Sequence, residues 1–133
     1  MIEFPFKSIE TEQLGVIFRP VATVNLKGPE NEVTTEMIVD SGADISIIPF
    51  ELGSYLGLQI EKNEDIKSLG GIAGGIPVVY RHIKIEIDEF AVSAKIAWSL
   101  VEDVPAILGR LNVFDEFDIE FKQKFKITAF KKN

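Results

Sequence analysis

The segment "MIVDSGADISIIP" (37–49) places a carboxylate, Asp40, where an apolar run ends in Ser41-Gly42. An ionised carboxylate is costly to bury without partners, so such a position favours a shifted pKa or a dedicated hydrogen-bond network. Asp, Ser and Gly are also ordinary turn residues, so a plain surface turn would account for the same letters. The segment therefore predicts a turn and leaves open whether Asp40 is catalytic.

Two further segments depart from ordinary strand chemistry. The glycine-rich segment, "SLGGIAGGIP" (68–77), contains four glycines and few bulky side chains. This composition predicts either a mobile lid or merely a loose hairpin tip. The run "PAILGR" (105–110) is apolar and ends abruptly in Gly109-Arg110, which indicates a core strand followed by a bend.

The elements that must position these segments are mostly strands, because alternation of apolar and polar residues dominates the chain. In "HIKIEID" (82–88) the three isoleucines fall on one face, and "FAVSAKIAW" (90–98) repeats the pattern, so the two runs predict a hairpin. Further strands are predicted in "GVIFRPVATVNL" (15–26), "EVTTEMIVD" (32–40), "FDIEF" (117–121) and "FKITAF" (125–130), the last two as a second hairpin.

Helical pattern is scarce and confined to two places. A short helix is predicted in "PFELGSYLGL" (49–58), which begins with proline, and about two helical turns in "RLNVFDEF" (110–117). Many short strands separated by turn residues favour an all-β barrel or sandwich. No linker or internal repeat divides the chain, so we expect one domain over residues 1–133.

Composition narrows the classes of function. The chain has 133 residues and a net charge of −7, which opposes a general role in binding nucleic acid. The lysines from Lys122 onward favour the solvated face of an edge strand over a nucleic-acid arm. The absence of cysteine excludes disulfides and thiol catalysis.

No apolar run has membrane-spanning length, so we expect a soluble, cytoplasmic protein without a membrane partner. The sequence contains neither a metal-ligand spacing nor a phosphate-binding loop, so it predicts no cofactor.

Taken in order, the three segments resemble the retropepsin-like aspartic protease family, the single-domain proteases of retroviral type. "IVDSGADISII" is similar to the family's active-site turn, "LGGIAGGIPV" to its glycine-rich flap, and "AILGR" to the segment that leads into its helix. The resemblance runs from about Val33 to Phe117. It implies an all-β fold, a closed or partly open barrel of the acid-protease type with one or two short helices.

The resemblance implies an aspartic endopeptidase that hydrolyses an extended polypeptide with Asp40 as catalytic residue. Two carboxylates that share one proton can activate a water and protonate the product, because two close like charges cannot both ionise. This chain holds a single Asp-Ser-Gly motif. The second carboxylate must therefore come from another copy, and a homodimer becomes part of the mechanism.

The resemblance also assigns supporting roles. Ser41 would offer its hydroxyl to the partner's backbone, Gly42 would allow the tight turn, and Ala43 would leave the cleft open. Asp44 and Arg110 would form a buried, bidentate ion pair beside the site. The substrate-binding flap would comprise Gly70, Gly71, Ile72, Ala73 and Gly74.

Two alternatives remain, and the ends of the chain differ from the family. Residues 1–14 and the hairpin 117–130 have no obvious equivalent in viral members, whose termini interleave into a dimer sheet. One alternative is a catalytically silent dimeric peptide-binding module with the same fold. The other is a structural β domain in which the motif is fortuitous.

Overall fold

A computed structural model describes residues 1–70 and 74–133, and β-strands account for most of the described chain. The strands are β1 (Ile2–Pro5), β2 (Lys7–Thr11), β3 (Gly15–Arg19), β4 (Val21–Lys27), β5 (Glu32–Val39), β6 (Ser46–Ile48), β7 (Lys67–Leu69), β8 (Ile76–Ile87), β9 (Phe90–Ser99), β10 (Ile107–Leu108), β11 (Phe117–Lys122) and β12 (Ile127–Lys132). The helices are α1 (Phe50–Leu56) and a 3-10 helix (Gln123–Phe125).

Six of these strands form a closed barrel. Their order is β4, β5, β10, β6, β9 and β8, and β8 pairs back onto β4 to close the ring. Strand β7 adds to the far edge of β8. Full closure removes the free edges of the sheet, and this barrel mixes antiparallel pairings with two parallel ones, β5 with β10 and β6 with β9. The predicted all-β barrel is confirmed, and the barrel is closed.

The core follows the predicted alternation of side chains. Ile83, Ile85 and Ile87 of β8 are buried, and β9 contributes Trp98, which is 1% exposed. The predicted hairpin pairs Ile87 with Phe90 and turns at Asp88-Glu89. A period of two places every second side chain on the same face of a strand, so one face of this hairpin fills the barrel.

The two ends of the chain form a separate three-stranded sheet. Strand β12 lies at its centre, with β1 on one side and β11 on the other, and both pairings are antiparallel. Phe117 and Phe130 are buried in the same core as the barrel and meet edge to face at 5.7 Å. The second predicted hairpin is therefore present, and the N-terminal strand completes its sheet.

Helix α1 confirms the first of the two predicted helical segments. Pro49 precedes it in extended conformation, and Gly57 ends it at φ 97°, a left-handed conformation that favours glycine. The ring of Phe50 stacks on Trp98 at 5.4 Å, and the indole Nε1 donates to the carbonyl oxygen of Phe50. The helix thus closes over one side of the barrel.

The second predicted helix, over 110–117, is wrong. These residues form consecutive turns in which the amide of Phe114 donates to the carbonyl of Arg110 and the amide of Glu116 donates to that of Val113. Asn112 has φ 68°, which interrupts a right-handed helix, and its side-chain oxygen accepts a hydrogen bond from the amide of Lys95. Phe117 already belongs to β11.

Strands β2 and β3 stand apart from both sheets as a two-stranded hairpin, which we call the arm (Lys7–Arg19). Pro20 separates β3 from β4, so the single apolar run "GVIFRPVATVNL" belongs to two different sheets. Proline cannot donate to a ladder, which accounts for the break at this position. Within the described residues, the structure has no helix long and apolar enough to cross a membrane.

Candidate active site

The Asp40 turn lies where three strands meet. Strand β10 sits between β5 and β6, parallel to β5 and antiparallel to β6. The connection from β5 to β6 must therefore pass over the end of β10. Asp40 to Ile45 form this connection, and the amide of Asp40 donates to the carbonyl of Leu108 at 3.0 Å. A segment near residue 108 thereby anchors a turn that lies far from it in sequence.

Asp40 itself is half-buried and opens a tight turn. The amide of Ala43 donates to the carbonyl of Asp40 at 3.2 Å, and the amide of Gly42 donates to the carboxylate Oδ1 of Asp40 at 2.9 Å. A carboxylate that accepts a backbone N–H is oriented by its own turn. The predicted turn is confirmed in geometry, and it holds the Asp40 carboxylate at the surface of the barrel.

Glycine occupies position 42 for a steric reason, whereas a conformational reason, the tight turn, was expected. Its φ is not in the left-handed region, so the backbone does not itself require glycine. A Cβ added at Gly42 would lie 3.2 Å from Oδ1 of Asp40, closer than most real contacts of this kind. Glycine at this position therefore keeps space free beside the carboxylate.

Gly109 is required by close approach of two chain segments. An added Cβ would lie 2.5 Å from the carbonyl carbon and oxygen of Ile45 and 2.9 Å from the carbonyl oxygen of Ala43. The Gly109 amide donates to the hydroxyl of Ser46, which is fully buried, at 2.9 Å. Sequence reasoning missed Ser46, although a serine inside the apolar run "ISII" is itself a signal, because buried hydroxyls need partners.

Arg110 follows β10 and reaches the Asp40 turn. Its guanidinium donates to the carboxylate of Asp44 through Nη2 and to the carbonyl of Ser41 through Nη1 at 3.3 Å. Backbone bonds support the same contact, because the amide of Arg110 donates to the carbonyl of Ala43. The structure therefore brings together all the residues that the sequence grouped around Asp40.

The Asp44–Arg110 pair is not buried in the single chain. The side chain of Asp44 is 87% exposed and that of Arg110 is 52% exposed, and one guanidinium nitrogen contacts one carboxylate oxygen. The expectation of a buried, bidentate pair does not hold for one copy of the chain. Exposed pairs of this kind contribute only about 0–1 kcal/mol to stability.

A cleft of about 230 Å³ runs beside the turn. Its walls are mostly apolar and comprise Gly42, Ala43, Asp44, Ile45, Ile47, Leu69 and Gly70. Strand β7 supplies Leu69, which pairs with Ile76 of β8 at the base of the glycine-rich segment. The predicted flap includes Gly71, Ile72 and Ala73, which lie outside the described residues. Gly70 and Gly74 flank them, and both have positive φ, 97° and 90°.

A second ion pair supports the strands that flank the cleft. Arg81 of β8 donates through both terminal nitrogens to the carboxylate of Glu64, at 2.7 and 2.6 Å. The same guanidinium donates to the carbonyls of Tyr80 and Gln59. These hydrogen bonds lower the pKa of Glu64 to about 2. Sequence reasoning missed this pair, because nothing in the local pattern joins residues 64 and 81.

No group of three or more His, Asp or Glu side chains is arranged to hold a metal ion within residues 1–70 and 74–133. At the Asp40 turn, the Asp40 carboxylate accepts one backbone hydrogen bond, from the amide of Gly42. One such carboxylate can accept a proton, but it cannot supply an acid and a base in the same step.

A family model and a solved structure both match this chain. A family model described as "Retroviral aspartyl protease" matches residues 18–119 of this chain. Among solved structures, the chain is similar to EIAV protease in complex with the inhibitor HBY-793, with a TM-score of 0.57 and 18% identity. That match covers 80% of this chain and 92% of the viral chain, and at this identity it supports the fold. A comparison with curated proteins finds no significant match.

Proposed function

Because the chain belongs to the retroviral aspartyl protease family, we propose that it is an aspartic endopeptidase with Asp40 as its catalytic residue. The observation that supports this most directly is the Asp40 turn. The carboxylate is held by the Gly42 amide, lies half-buried at the end of β5 and adjoins an apolar cleft. A surface turn without a function would need neither the cleft nor the anchoring by β10.

The proposed reaction is attack of water on a peptide carbonyl. One carboxylate takes a proton from the water, and a second, protonated carboxyl hydrogen-bonds the carbonyl oxygen as its negative charge develops. The proton later passes to the leaving amine, so the pair ends the cycle in its starting state. The two carboxyls titrate as a unit, and neither is the permanent acid or the permanent base.

The second carboxylate is proposed to be Asp40 of another copy. The chain contains one Asp-Ser-Gly motif, and the other carboxylate of the same turn, that of Asp44, contacts the Arg110 guanidinium. A two-fold axis beside the turn would bring two identical carboxylates together, and two-fold dimers are the commonest oligomers. Ser41 lies next to Asp40 on the exposed side of the turn, where its hydroxyl is available to a partner.

The substrate is proposed to be an extended polypeptide. The cleft is open, so a strand-like peptide can lie along it and form backbone hydrogen bonds, while its side chains enter the apolar walls. Ile45, Ile47 and Leu69 favour a substrate side chain of aliphatic character next to the scissile bond. The glycine-rich segment is proposed to cover the peptide as the flap, because Leu69 and Gly70, at its N-terminal end, line the cleft.

Asp44 and Arg110 are proposed as structural support. The Arg110 guanidinium ties Asp44 to the carbonyl of Ser41 and therefore holds both ends of the Asp40 turn. A bidentate-capable guanidinium suits this role better than an ammonium, because its donors lie in one rigid plane.

Replacement of Asp40 by asparagine tests the proposal. The amide is nearly isosteric, but it can neither activate water nor share a proton, so hydrolysis should fall below detection while the fold is retained. Cleavage of an unfolded protein such as casein should be followed between about pH 3 and about pH 8, with circular dichroism as the measure of folding. Asp118→Asn, a change of the same type on exposed β11, is the matched control.

Two outcomes would contradict the proposal. Near-normal cleavage by Asp40→Asn would exclude Asp40 as a catalytic residue. No cleavage by the unmodified chain, together with retained binding of a peptide-like inhibitor, would favour the alternative of a catalytically silent peptide-binding module.

A further inference from the structure

The arm (Lys7–Arg19) lacks support within its own chain. No residue of β2 or β3 is buried, and the two strands pair only with each other. An isolated two-stranded hairpin is marginally stable in water and needs a further strand or a packing partner. Contacts with the rest of the described chain include Lys7, which pairs with Glu36 at 2.9 Å, and Lys126, which lies over the ring of Phe18.

The tip of the arm is nevertheless well organised. The hydroxyl of Thr11 donates to the carbonyl of Gly15 at 2.8 Å and accepts from the amide of Leu14 at 3.0 Å. This turn presents Leu14 with 74% of its surface exposed, and β3 continues with Val16 at 56% and Phe18 at 45%. An ordered hairpin with a row of exposed apolar side chains is typical of an interaction surface.

The arm leaves the barrel at the edge that carries Asp40. Pro20, directly after β3, accepts through its carbonyl a hydrogen bond from the amide of Val39, the residue before Asp40. A five-residue strand spans roughly 17 Å, so the tip of the arm lies up to that distance from its base. The base of the arm therefore lies next to the Asp40 turn.

The two ends of the chain are already paired with each other. Strand β1 pairs with β12 of the same chain along four residue pairs, from Ile2 with Phe130 to Pro5 with Ile127. Thr128 and Ala129 at the centre of that sheet are buried. Strand β12 is paired on both sides, so it cannot take a strand from a partner unless this sheet opens; within the described residues only the outer edges of β1 and β11 are unpaired.

Charge complementarity favours a second copy over an unrelated protein. The arm carries the exposed acids Glu10 and Glu12, whereas the neighbouring turn between β11 and β12 carries Lys124 beside Phe125, which is 67% exposed. This turn adjoins the base of the arm, because the amide of Phe6 donates to the carbonyl of Lys126. Across a two-fold axis, a surface with acids at one end and lysines at the other matches itself.

We infer that the arm is the surface through which two copies of this chain associate, and that it brings their Asp40 turns together. Each arm buries Leu14, Val16 and Phe18 against the partner subunit, and its acids face the partner subunit's Lys124. This inference rests on the proposed function, because the catalytic pair needs a second Asp40. The site is incomplete in one chain, and the arm supplies the contact that completes it.

Lysine substitutions on the apolar row test the inference. Val16→Lys combined with Leu14→Lys should weaken dimerisation at least about tenfold in sedimentation velocity, because a buried apolar contact becomes charged. Casein cleavage should fall at low protein concentration and return in part as the concentration rises. Tyr55→Lys is the matched control, since Tyr55 is 54% exposed and its carbonyl contacts Asn31, at the end of β5 away from Asp40.

The outcomes separate the two proposals. Dimerisation of the Leu14/Val16 variant at the unmodified affinity, or an unmodified chain that stays monomeric at every concentration, would overturn the role of the arm. Asp40→Asn leaves the arm intact, so the residual cleavage by this variant tests the proposed function and not the role of the arm. Sedimentation of that variant should match that of the unmodified chain if the arm holds the dimer.

A second measurement applies even if the lysine variant fails to fold. The chain has no cysteine, so Leu14→Cys and Tyr55→Cys each introduce a single thiol. Alkylation by a maleimide should slow several-fold for the Leu14→Cys thiol as protein concentration rises, and should not change for the Tyr55→Cys thiol. Equal behaviour of the two thiols would overturn the inference.

Discussion

At the scale of single residues, the candidate site depends on the space around one carboxylate. The Gly42 amide orients the carboxylate of Asp40, and the missing side chain of Gly42 leaves its Oδ1 accessible. The sequence suggested a conformational reason for this glycine, namely a tight turn. The structure shows a steric one, because the φ of Gly42 is accessible to any residue.

Gly42→Ala should separate catalysis from stability. The added methyl would press on Oδ1 of Asp40 at 3.2 Å and displace it by a few tenths of an ångström, while the backbone stays unstrained. We expect cleavage to fall by about 10-fold to 100-fold with little change in the midpoint of urea unfolding. Equal loss of stability and activity would mean that the glycine serves the turn rather than the carboxylate.

At the scale of secondary structure elements, strand β10 organises the site. It is only two residues long, yet it pairs with β5 before the Asp40 turn and with β6 after it. Gly109 and Arg110 follow directly, so their positions are set by the same pairing. The close approach of Gly109 to Ile45 fixes how tightly the turn lies against β10.

Gly109→Ala should destabilise the fold. The new Cβ would meet the backbone of Ile45 at 2.5 Å, and backbone atoms cannot rotate away as a flexible side chain can. Overpacking of this kind typically costs about 1–3 kcal/mol. Urea unfolding should therefore shift to a lower midpoint with an unchanged slope. Unfolding of Gly74→Ala provides the comparison, since an added Cβ there meets nothing within 4 Å, although its φ of 90° adds backbone strain.

The Glu64–Arg81 pair should make stability depend on pH. Hydrogen bonds from Arg81 lower the pKa of Glu64 from 4.5 to about 2, so the folded state favours the ionised carboxylate. This contribution is fully present above the unfolded pKa and is lost as pH falls from about 4.5 through about 2. Glu64→Gln should therefore be less stable than the unmodified chain near neutral pH and approach it in acid.

Thermal unfolding at several pH values measures this difference. Glu89→Gln, in the exposed turn between β8 and β9, is a suitable control. A stability difference for Glu64→Gln that stays constant down to about pH 2 would contradict the assigned ion pair.

At the scale of the whole molecule, the structure of one chain contains half of the proposed site. The Asp44–Arg110 pair is exposed, no residue of the two strands of the arm is buried, and an open cleft runs beside the Asp40 turn. These features share one edge of the barrel. A second copy at that edge would cover them together, and the termini would remain paired within each chain.

Mixing experiments test the shared site directly. When the unmodified chain is mixed with an excess of Asp40→Asn chains, heterodimers form that contain a single Asp40. Cleavage should then fall more steeply than dilution alone would produce. If activity instead follows the amount of unmodified chain, or stays constant per molecule where sedimentation shows only monomers, a shared pair of aspartates is excluded.

The sequence by itself determined the features that depend on neighbouring residues. Alternation in β8 and β9 predicted their buried faces, the proline and glycine around 49–58 predicted α1, and Asp40-Ser41-Gly42 predicted a turn. Each of these follows from local geometry, because side-chain period and preferred φ are properties of short segments. The order of three motifs was enough to indicate the family.

Only the tertiary structure decided the features that join distant segments. In the folded chain β10 lies between β5 and β6, and β1 pairs with β12. Residues 110–117 do not form a helix, and Asn112 in this segment accepts a hydrogen bond from the distant Lys95. A periodic pattern shows which face of a strand is apolar, but it does not identify the strand that pairs with it. The exposure of Asp44 and of the arm likewise depends on which other surface packs against them, and a short sequence segment does not specify that surface.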